Sequence, residues 1–353
     1  MNKIRLAVLF GGVSSEHEVS CISASAVLDN LDKDKYEIYK IGITKDGSWF
    51  LTMADSNRIK DGSWADLKGN ISAVISPDRS CGGLLLLKAA ETESIRIDCI
   101  FPAVHGKNCE DGVLQGLLEL SGIPYVGSGV AASACSMDKA ITKLIAGAAG
   151  ITQADYILVT ASELKTGEEA TLDRVEAYFN KYPLFIKPAN EGSSVGISKV
   201  HDRAELLRGL TEAAGYDEKI LVEETIVGRE IETAVLGNDE PEVAKIGEIF
   251  SCNEFYDYEA KYADIGSRTG FVEDISPELE TQIKQTAVRV FKAMGCRGMS
   301  RIDFFLTDDN RIILNELNTL PGFTSISMYP QMWAAAGLSY PQLLDRLIEL
   351  AME

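Results

Sequence analysis

Near the C-terminal end, RIDFFLTDDNRIILNELN sets two runs of alternating apolar and polar residues on either side of a polar turn, a pattern that admits little besides an antiparallel hairpin. If Asp309 and Asn310 form a two-residue turn, Asp303 lies opposite Glu316 and Arg301 lies opposite Asn318. Side chains alternate along a strand, so Ile302, Phe304 and Leu306 then share the other face with Ile313 and Leu317. One face is apolar; the opposite face holds two carboxylates roughly 5 Å apart at Cβ, which destabilises a sheet unless positive charge lies between them. A divalent cation supplies that charge on one reading, and Arg301 on a solvated face supplies it on the other. Asp303, Glu316 and Asn318 all offer hard oxygens, which suit magnesium or manganese better than zinc. A three-residue loop would shift every pairing and remove the argument.

The rest of the chain reads as mixed α and β structure. IRLAVLF runs into Gly11 and Gly12 and then into the helically spaced CISASAVLDNL, the strand, glycine turn and helix that open a parallel α/β unit. Further strands are expected at YEIYKIGIT and IRIDCIFPAVHG, with a helix at DGVLQGLLELSG closed by Gly122. This gives a first domain over residues 1–105. Two helices around AASACSMDKAITKLIAGAAG and strands at PLFIKPA, GISKV and KILVEET form a second, 106–226. REIETAVLG, EVAKIGEIF, a long helix from about Pro277 to Met294 and the closing hairpin form a third, 227–353. There is no repeat or low-complexity tract, and ligands favour the seams between such domains.

Composition narrows the partners. The chain has 353 residues and a net charge of −19, with acids scattered along its length. Such a surface repels nucleic acid and anionic membranes while leaving small anions open to local basic clusters. Seven cysteines, odd in number and without C-x-x-C spacing, read as reduced thiols of a cytoplasmic protein. The apolar run after MNKIR is short and enters a glycine turn, so it reads as a core strand and not a signal peptide. No apolar stretch approaches the roughly 20 residues that span a bilayer.

PLFIKPANEGSSVG offers a basic cluster. Lys187 leaves an apolar strand, and Gly192 and Gly196 free the following backbone so that its amides can face an anion. The spacing is neither that of a P-loop nor that of a dinucleotide fingerprint. A phosphate loop and an ordinary Gly/Ser hairpin turn both fit, and Lys139 in SMDK is equally a phosphate ligand or an exposed helical lysine.

Taken in order, FGGVSSEHEVS, HGKNCEDGVLQGLLELSGIPYVGSGVAASACSMDK, PLFIKPANEGSSVGISKV, VEETIVGREI, FYDYEAKY, GCRGMSRIDFF and NELNTLPGFTSISMYP resemble the D-alanine:D-alanine ligase family of ATP-grasp enzymes over nearly the whole chain. The resemblance implies an ATP-grasp fold behind a Rossmann-like parallel-sheet domain. It also implies an ATP-dependent ligation through an acyl phosphate, two magnesium or manganese ions, and a homodimer. By resemblance, Lys139 and Lys187 hold the inner phosphates with the amides around Ser194, and Lys261 reaches the transferred one. Glu223, Glu230 and Phe255 attend the adenosine, and Asp303, Glu316 and Asn318 hold the metal ions. Arg301 and the amide of Gly322 stabilise the developing oxyanion, a task for preorganised donors. Glu16 takes the ammonium of the first amino acid and joins Ser193 and Tyr262 in a hydrogen-bonded triad. His105, Ser327 and Met328 line the amino-acid sites.

The sequence departs from the family pattern at Cys109, where glycine is usual, and in GFVEDISPELE, which lacks a usual proline-alanine pair. Other ATP-grasp synthetases would keep the nucleotide residues but not Glu16 together with FYDYEAKY. A non-catalytic nucleotide-binding protein would have lost Arg301 or a metal ligand. The nearest rival joins D-alanine to D-serine or D-lactate; in the resembling members of that kind, arginine tends to stand at the position of Met328.

Overall fold

The computed structural model describes residues 3–250 and 268–353. Its first sheet has seven strands: β1 (Ile4–Gly11), β2 (Tyr36–Ile43), β3 (Trp49–Leu51), β4 (Ile71–Ile75), β5 (Gly83–Leu87), β6 (Thr92–Arg96) and β7 (Cys99–Pro102), in the order β6-β5-β4-β3-β2-β1-β7. Only β2, β1 and β7 run parallel; the remaining pairs are antiparallel. The parallel expectation therefore holds for the opening unit alone, and the sheet is mixed.

IRIDCIFPAVHG, expected as one strand, is two. Ile97 N–H bonds the carbonyl of Gly82 while the next amide, Asp98, bonds that of Arg5, so adjacent residues join different strands. With β6 and β7 at opposite ends of the strand order and only two residues between them, the sheet must curl on itself. The helix His17–Asn30 packs on it, and Leu343, Leu344 and Leu347 of the C-terminal helix Tyr340–Met352 join the same core as Leu6, Val8 and Phe101. The two ends of the chain thus share one apolar interior.

The second sheet holds β8 (Tyr156–Thr160), β9 (Leu184–Pro188), β10 (Ser198–Val200) and β11 (Lys219–Glu224), in the order β10-β9-β11-β8. The third holds β12 (Arg229–Gly237), β13 (Glu242–Val243), β14 (Gly247–Phe250), β15 (Arg268–Phe271), β16 (Gly298–Leu306) and β17 (Ile312–Asn318), in the order β15-β14-β12-β16-β17 with β13 on β12. EVAKIGEIF is thus also divided, into β13 and β14. Helix Pro277–Ala293, started by Ser276 accepting from the Leu279 N–H, buries Ile283, Val290 and Phe291 against Ile302, Phe304 and Leu306.

The closing hairpin reaches its expected register by another route. Leu306 pairs with Ile312, and the loop between them bends through Asn310 at φ 62°, so the turn is longer than two residues. A bulge between Asp303 and Phe304, at Asn315 on the partner strand, absorbs the extra residue. Beyond it Asp303 faces Glu316 and Arg301 faces Asn318, as expected. Between bulge and turn the facing is shifted: Phe304 pairs with Leu314, and Ile313 lies opposite Phe305 on the other face.

Candidate active site

Strand pairing lines up three carboxylates in one row, Glu232 on β12, Asp303 on β16 and Glu316 on β17. Residues directly opposite share a face, so all three point to one side. Arg301, in the next row beside Asn318, donates to Asp303 through Nε at 2.8 Å and Nη2 at 2.6 Å. It lies 3.3 Å from Glu232 and 4.0 Å from Glu316. Burial opposes its charge, yet Asp303 and Glu232 outweigh burial and hold its pKa above the usual value. Among the described residues no group of three or more His, Cys, Asp or Glu side chains is drawn together tightly enough for a metal ion. The candidate donors are two carboxylates and the amide of Asn318, whose oxygen accepts from the Leu320 N–H at 2.9 Å.

Beside this row lies a cavity of about 350 Å³ lined by the second and third sheets. Lys187 on β9 and Glu223 on β11 sit diagonally on one face, because Lys187 pairs with Leu221. Lys187 Nζ meets Glu223 at 2.9 Å, and Lys143, from the helix Lys139–Ala148, meets its other oxygen at 3.0 Å. Burial alone would raise the Glu223 pKa, but the two ammonium groups hold it at about 2. Burial lowers the pKa of Lys143, while at Lys187 the surrounding acids outweigh burial and raise it. Lys187 also donates to Asn315, the bulge residue, at 3.1 Å. Phe185, Ile197 and Phe305 give the same cavity apolar walls, and Glu230 and Ser194 line it too.

A second cavity, of about 560 Å³, is lined by Glu16, His105, Ser193, Gly322, Ser327 and Met328. Ser193 donates to Glu16 across the junction of two loops. The left-handed backbone of this loop falls on Ser193 and Ser194, at φ 50° and 61°, and on Gly196. Gly192 is small for a different reason: a Cβ there would lie 3.2 Å from Glu16 Oε2. Ser327 accepts from the Thr324 N–H at 3.0 Å, and a Cβ on Gly322 would sit 2.8 Å from its hydroxyl. Met328 is buried, with its terminal methyl against Gly247. Cys109 is buried with its sulfur against Gly12, and burial raises its pKa to about 12, so this thiol is unreactive.

The two cavities share Lys139, Glu191, Gly192, Glu232, Arg301 and Glu316 in their walls, so they meet at the acid row. Lys139 Nζ donates to the Glu191 carbonyl at 2.6 Å, tying its helix to the loop after β9. Of the candidate catalytic, nucleotide, substrate and metal residues, Phe255, Lys261 and Tyr262 lie outside the described residues; the others line one cavity or both.

Residues 5–128 match the family described as D-ala D-ala ligase N-terminus, and residues 145–349 match the D-ala D-ala ligase C-terminus. The chain belongs to the D-alanine–D-alanine ligase family. A family member from Acetivibrio thermocellus named D-alanine–D-alanine ligase is 48% identical, covering 100% of this chain and 96% of that protein. Among solved structures, the VanG D-Ala:D-Ser ligase from Enterococcus faecalis is 41% identical with a TM-score of 0.89, covering 99% of this chain and 100% of that one. The D-alanine-D-alanine ligase from Coxiella burnetii is 37% identical with a TM-score of 0.85, covering 99% and 95%. These likenesses carry the ATP-grasp family fold for the described residues.

Within this ligase-family site, the sequence reading does not reach Lys143, Glu232, Asn315 or Glu110. Lys143 stands one helical turn after Lys139, a spacing that puts both on one face. Glu232 follows Glu230 by two, the strand period, but only the pairing of β12 with β16 shows that it extends the acid row. Asn315 carries no sequence signal, because a bulge depends on how the turn closes. Glu110 lies in HGKNCEDG and is buried, with one oxygen accepting from the Gly106 N–H at 3.0 Å.

Proposed function

We propose that this chain joins two D-alanine molecules into D-alanyl-D-alanine at the expense of ATP, as a step in making peptidoglycan precursors. The observation that carries the reading is the pair of cavities meeting at Arg301 and Glu316, one with half-buried lysines and apolar walls, the other with the Glu16–Ser193 pair and Gly322. The first suits a nucleotide with its phosphates toward Lys139 and Lys187 and its adenosine toward Glu223 and Glu230. The second suits small amino acids.

In this reading Glu16, oriented by Ser193, takes the ammonium of the first D-alanine, and Tyr262 would complete that triad. The carboxylate of that D-alanine attacks the terminal phosphorus, ADP leaves, and an acyl phosphate remains. The amine of the second D-alanine adds to its carbonyl, and the C–O bond to phosphate then breaks. Arg301 and the Gly322 N–H face the oxygen that gains charge in that addition, where a lost donor typically costs about 3 kcal/mol. Asp303, Glu316 and Asn318, beside Glu232, have the oxygen chemistry to hold magnesium or manganese, which neutralises phosphate charge when bound. Lys139 and Lys187, with Lys261 by resemblance, would add positive charge, Phe255 would attend adenine, and the amides about Ser194 would face phosphate. His105, Ser327 and Met328 border the amino acids.

The same reading includes a homodimer, a cytoplasmic setting and domain boundaries near 105/106 and 226/227. Among the described residues no helix is long and apolar enough to cross a membrane. The likeness to a D-Ala:D-Ser ligase favours a second reading with D-serine as acceptor. Buried Met328 offers no hydrogen bond to a serine hydroxyl, which supports D-alanine; an apolar wall typically rejects an added hydroxyl by only about a hundredfold. The test is ATP with equimolar D-alanine, D-serine and D-lactate, products separated by mass. D-alanyl-D-alanine should dominate and vanish with chelator; a mixed product as the major species would overturn the acceptor assignment, and absence of any ligated product would overturn the reaction.

A further inference from the structure

The segment Leu320–Phe323 is held from both sides by buried and half-buried bonds. Leu320 N–H donates to Asn318 at 2.9 Å, and the Leu320 carbonyl contacts His105 Nδ1 at 3.0 Å. Phe323 N–H donates to Ser23 Oγ at 3.2 Å, and the Phe323 carbonyl accepts from Tyr340 at 2.6 Å. None of these four bonds engages the Gly322 N–H. The Phe323 ring is also fixed, edge-on to Phe101 at 5.7 Å and to Tyr340 at 6.0 Å.

The protons can be assigned from what each partner can do. A carbonyl only accepts, so His105 Nδ1 carries hydrogen and donates to Leu320. Nε2 is then an acceptor and takes the hydroxyl proton of Ser23, 3.0 Å away. The Ser23 oxygen in turn accepts from Phe323. Burial, the largest influence on His105, lowers its pKa and agrees with a neutral ring. Both ring nitrogens are thus committed to protein partners.

We propose that Ser23 is a positioning residue for the ligation, acting with His105 as a clamp that ties helix His17–Asn30 and the loop after β7 to the Leu320–Phe323 segment and so aims the Gly322 N–H at the reacting carbonyl. This rests on the oxyanion role given to Gly322 above. Ser23 is itself buried and lines neither cavity, so its effect passes through the segment it holds. A hydrogen-bond donor displaced by a fraction of an ångström loses much of its value for a transition state, and misplacements of about 1 Å can cost roughly a hundredfold.

Two variants separate the bond from the volume it fills: Ser23→Ala removes the hydroxyl, and Ser23→Cys fills the space with a weak hydrogen-bonding group. Both should lower kcat about tenfold or more with the KM for ATP unchanged. Amide hydrogen exchange at 322 and 323 should quicken in both, with the core strands unaffected. Full activity in Ser23→Cys would overturn the proposal in favour of packing, as would a rise in the KM for ATP that matched the loss in kcat. Unchanged exchange at 322 and 323 would overturn the clamp. Absence of dipeptide from the wild type would instead overturn the proposed reaction, and with it the catalytic half of the inference, while the exchange measurement still judges the clamp.

Discussion

Two buried glutamates, one in each cavity, are treated in opposite ways. Glu223 lies between two ammonium groups at 2.9 and 3.0 Å and is held at about pH 2. Glu110 has one oxygen on the Gly106 N–H, and burial, followed by the nearby charge of Glu16, pushes it up to about 8. The smaller cavity, the nucleotide side under the proposed function, is carried by paired strands and a helix, which fix counter-charges at known offsets. The amino-acid side is assembled from loops after β1, β7, β9 and β17, and its acids stand together. Arg301 and Lys139 reach it only at the shared wall, and under the proposed function the ammonium of D-alanine adds positive charge to these acids. On that reading the fold prepares one compartment for anions with its own lysines, while the other takes further positive charge from its substrate.

The largest expected break concerns the acid row between them. Asp303→Asn and Glu316→Gln should each lower dipeptide formation by about a thousandfold, since several kcal/mol of phosphate-charge stabilisation depend on that row. The melting temperature without nucleotide should hold or rise slightly, because the change relieves repulsion among three facing carboxylates. Arg301 keeps Glu232 as a partner in Asp303→Asn, which protects the fold from an unpaired guanidinium. Thermal melting beside turnover checks this; a collapse of both together would make the row structural.

A second prediction breaks the nucleotide side. Lys143→Met leaves the Glu223 carboxylate one ammonium short in a buried place, and should cost about 3 kcal/mol, with Lys143→Met/Glu223→Gln recovering part of it. The sign with pH follows from Glu223. Its folded value near 2 lies below the ordinary 4.5, so its stabilisation is complete above about pH 4.5 and is lost as pH falls toward 2. Lys143→Met should therefore move acid unfolding to higher pH. Calorimetry between pH 3 and 7 reads both effects, and an unshifted acid limb would show that Lys187 alone holds the carboxylate.

The same contrast explains how far the sequence could be read. Alternation and glycine turns expose β1, β9, β11 and the closing hairpin, and the Asp303–Glu316 facing was legible from them. It was right through two deviations that cancel, a longer turn and a bulge at Asn315, neither of which alternation can detect. Ile313 was assigned to the wrong face for that reason. Glu232 stayed hidden because its row is made by pairing across 71 positions of chain to Asp303, and long-range pairing leaves no local mark. IRIDCIFPAVHG misled because a continuous apolar run does not say where its amides change partner. The amino-acid side was legible only through motif resemblance: loops have no period, and Ser23 reaches Phe323 across 300 positions.

The smallest effect tests the other half of the comparison. Glu110 folded keeps its proton to about pH 8, whereas the unfolded chain releases it near 4.5, so between those values the folded state binds more protons. Its contribution to stability is therefore full below about pH 4.5 and is lost as pH rises through 8. Glu110→Gln keeps an acceptor for the Gly106 N–H and removes the titration. The variant should melt a few degrees above the wild type at pH 8 and close to it at pH 5. Saturating D-alanine should narrow the gap at pH 8, because a bound ammonium nearby lets Glu110 carry charge. If wild type and variant lose stability in parallel between pH 5 and 8, Glu110 is ionised throughout and the opposition between the two compartments fails; if the gap opens but D-alanine leaves it unchanged, the acids are set apart by burial alone and the substrate does not supply their counter-charge.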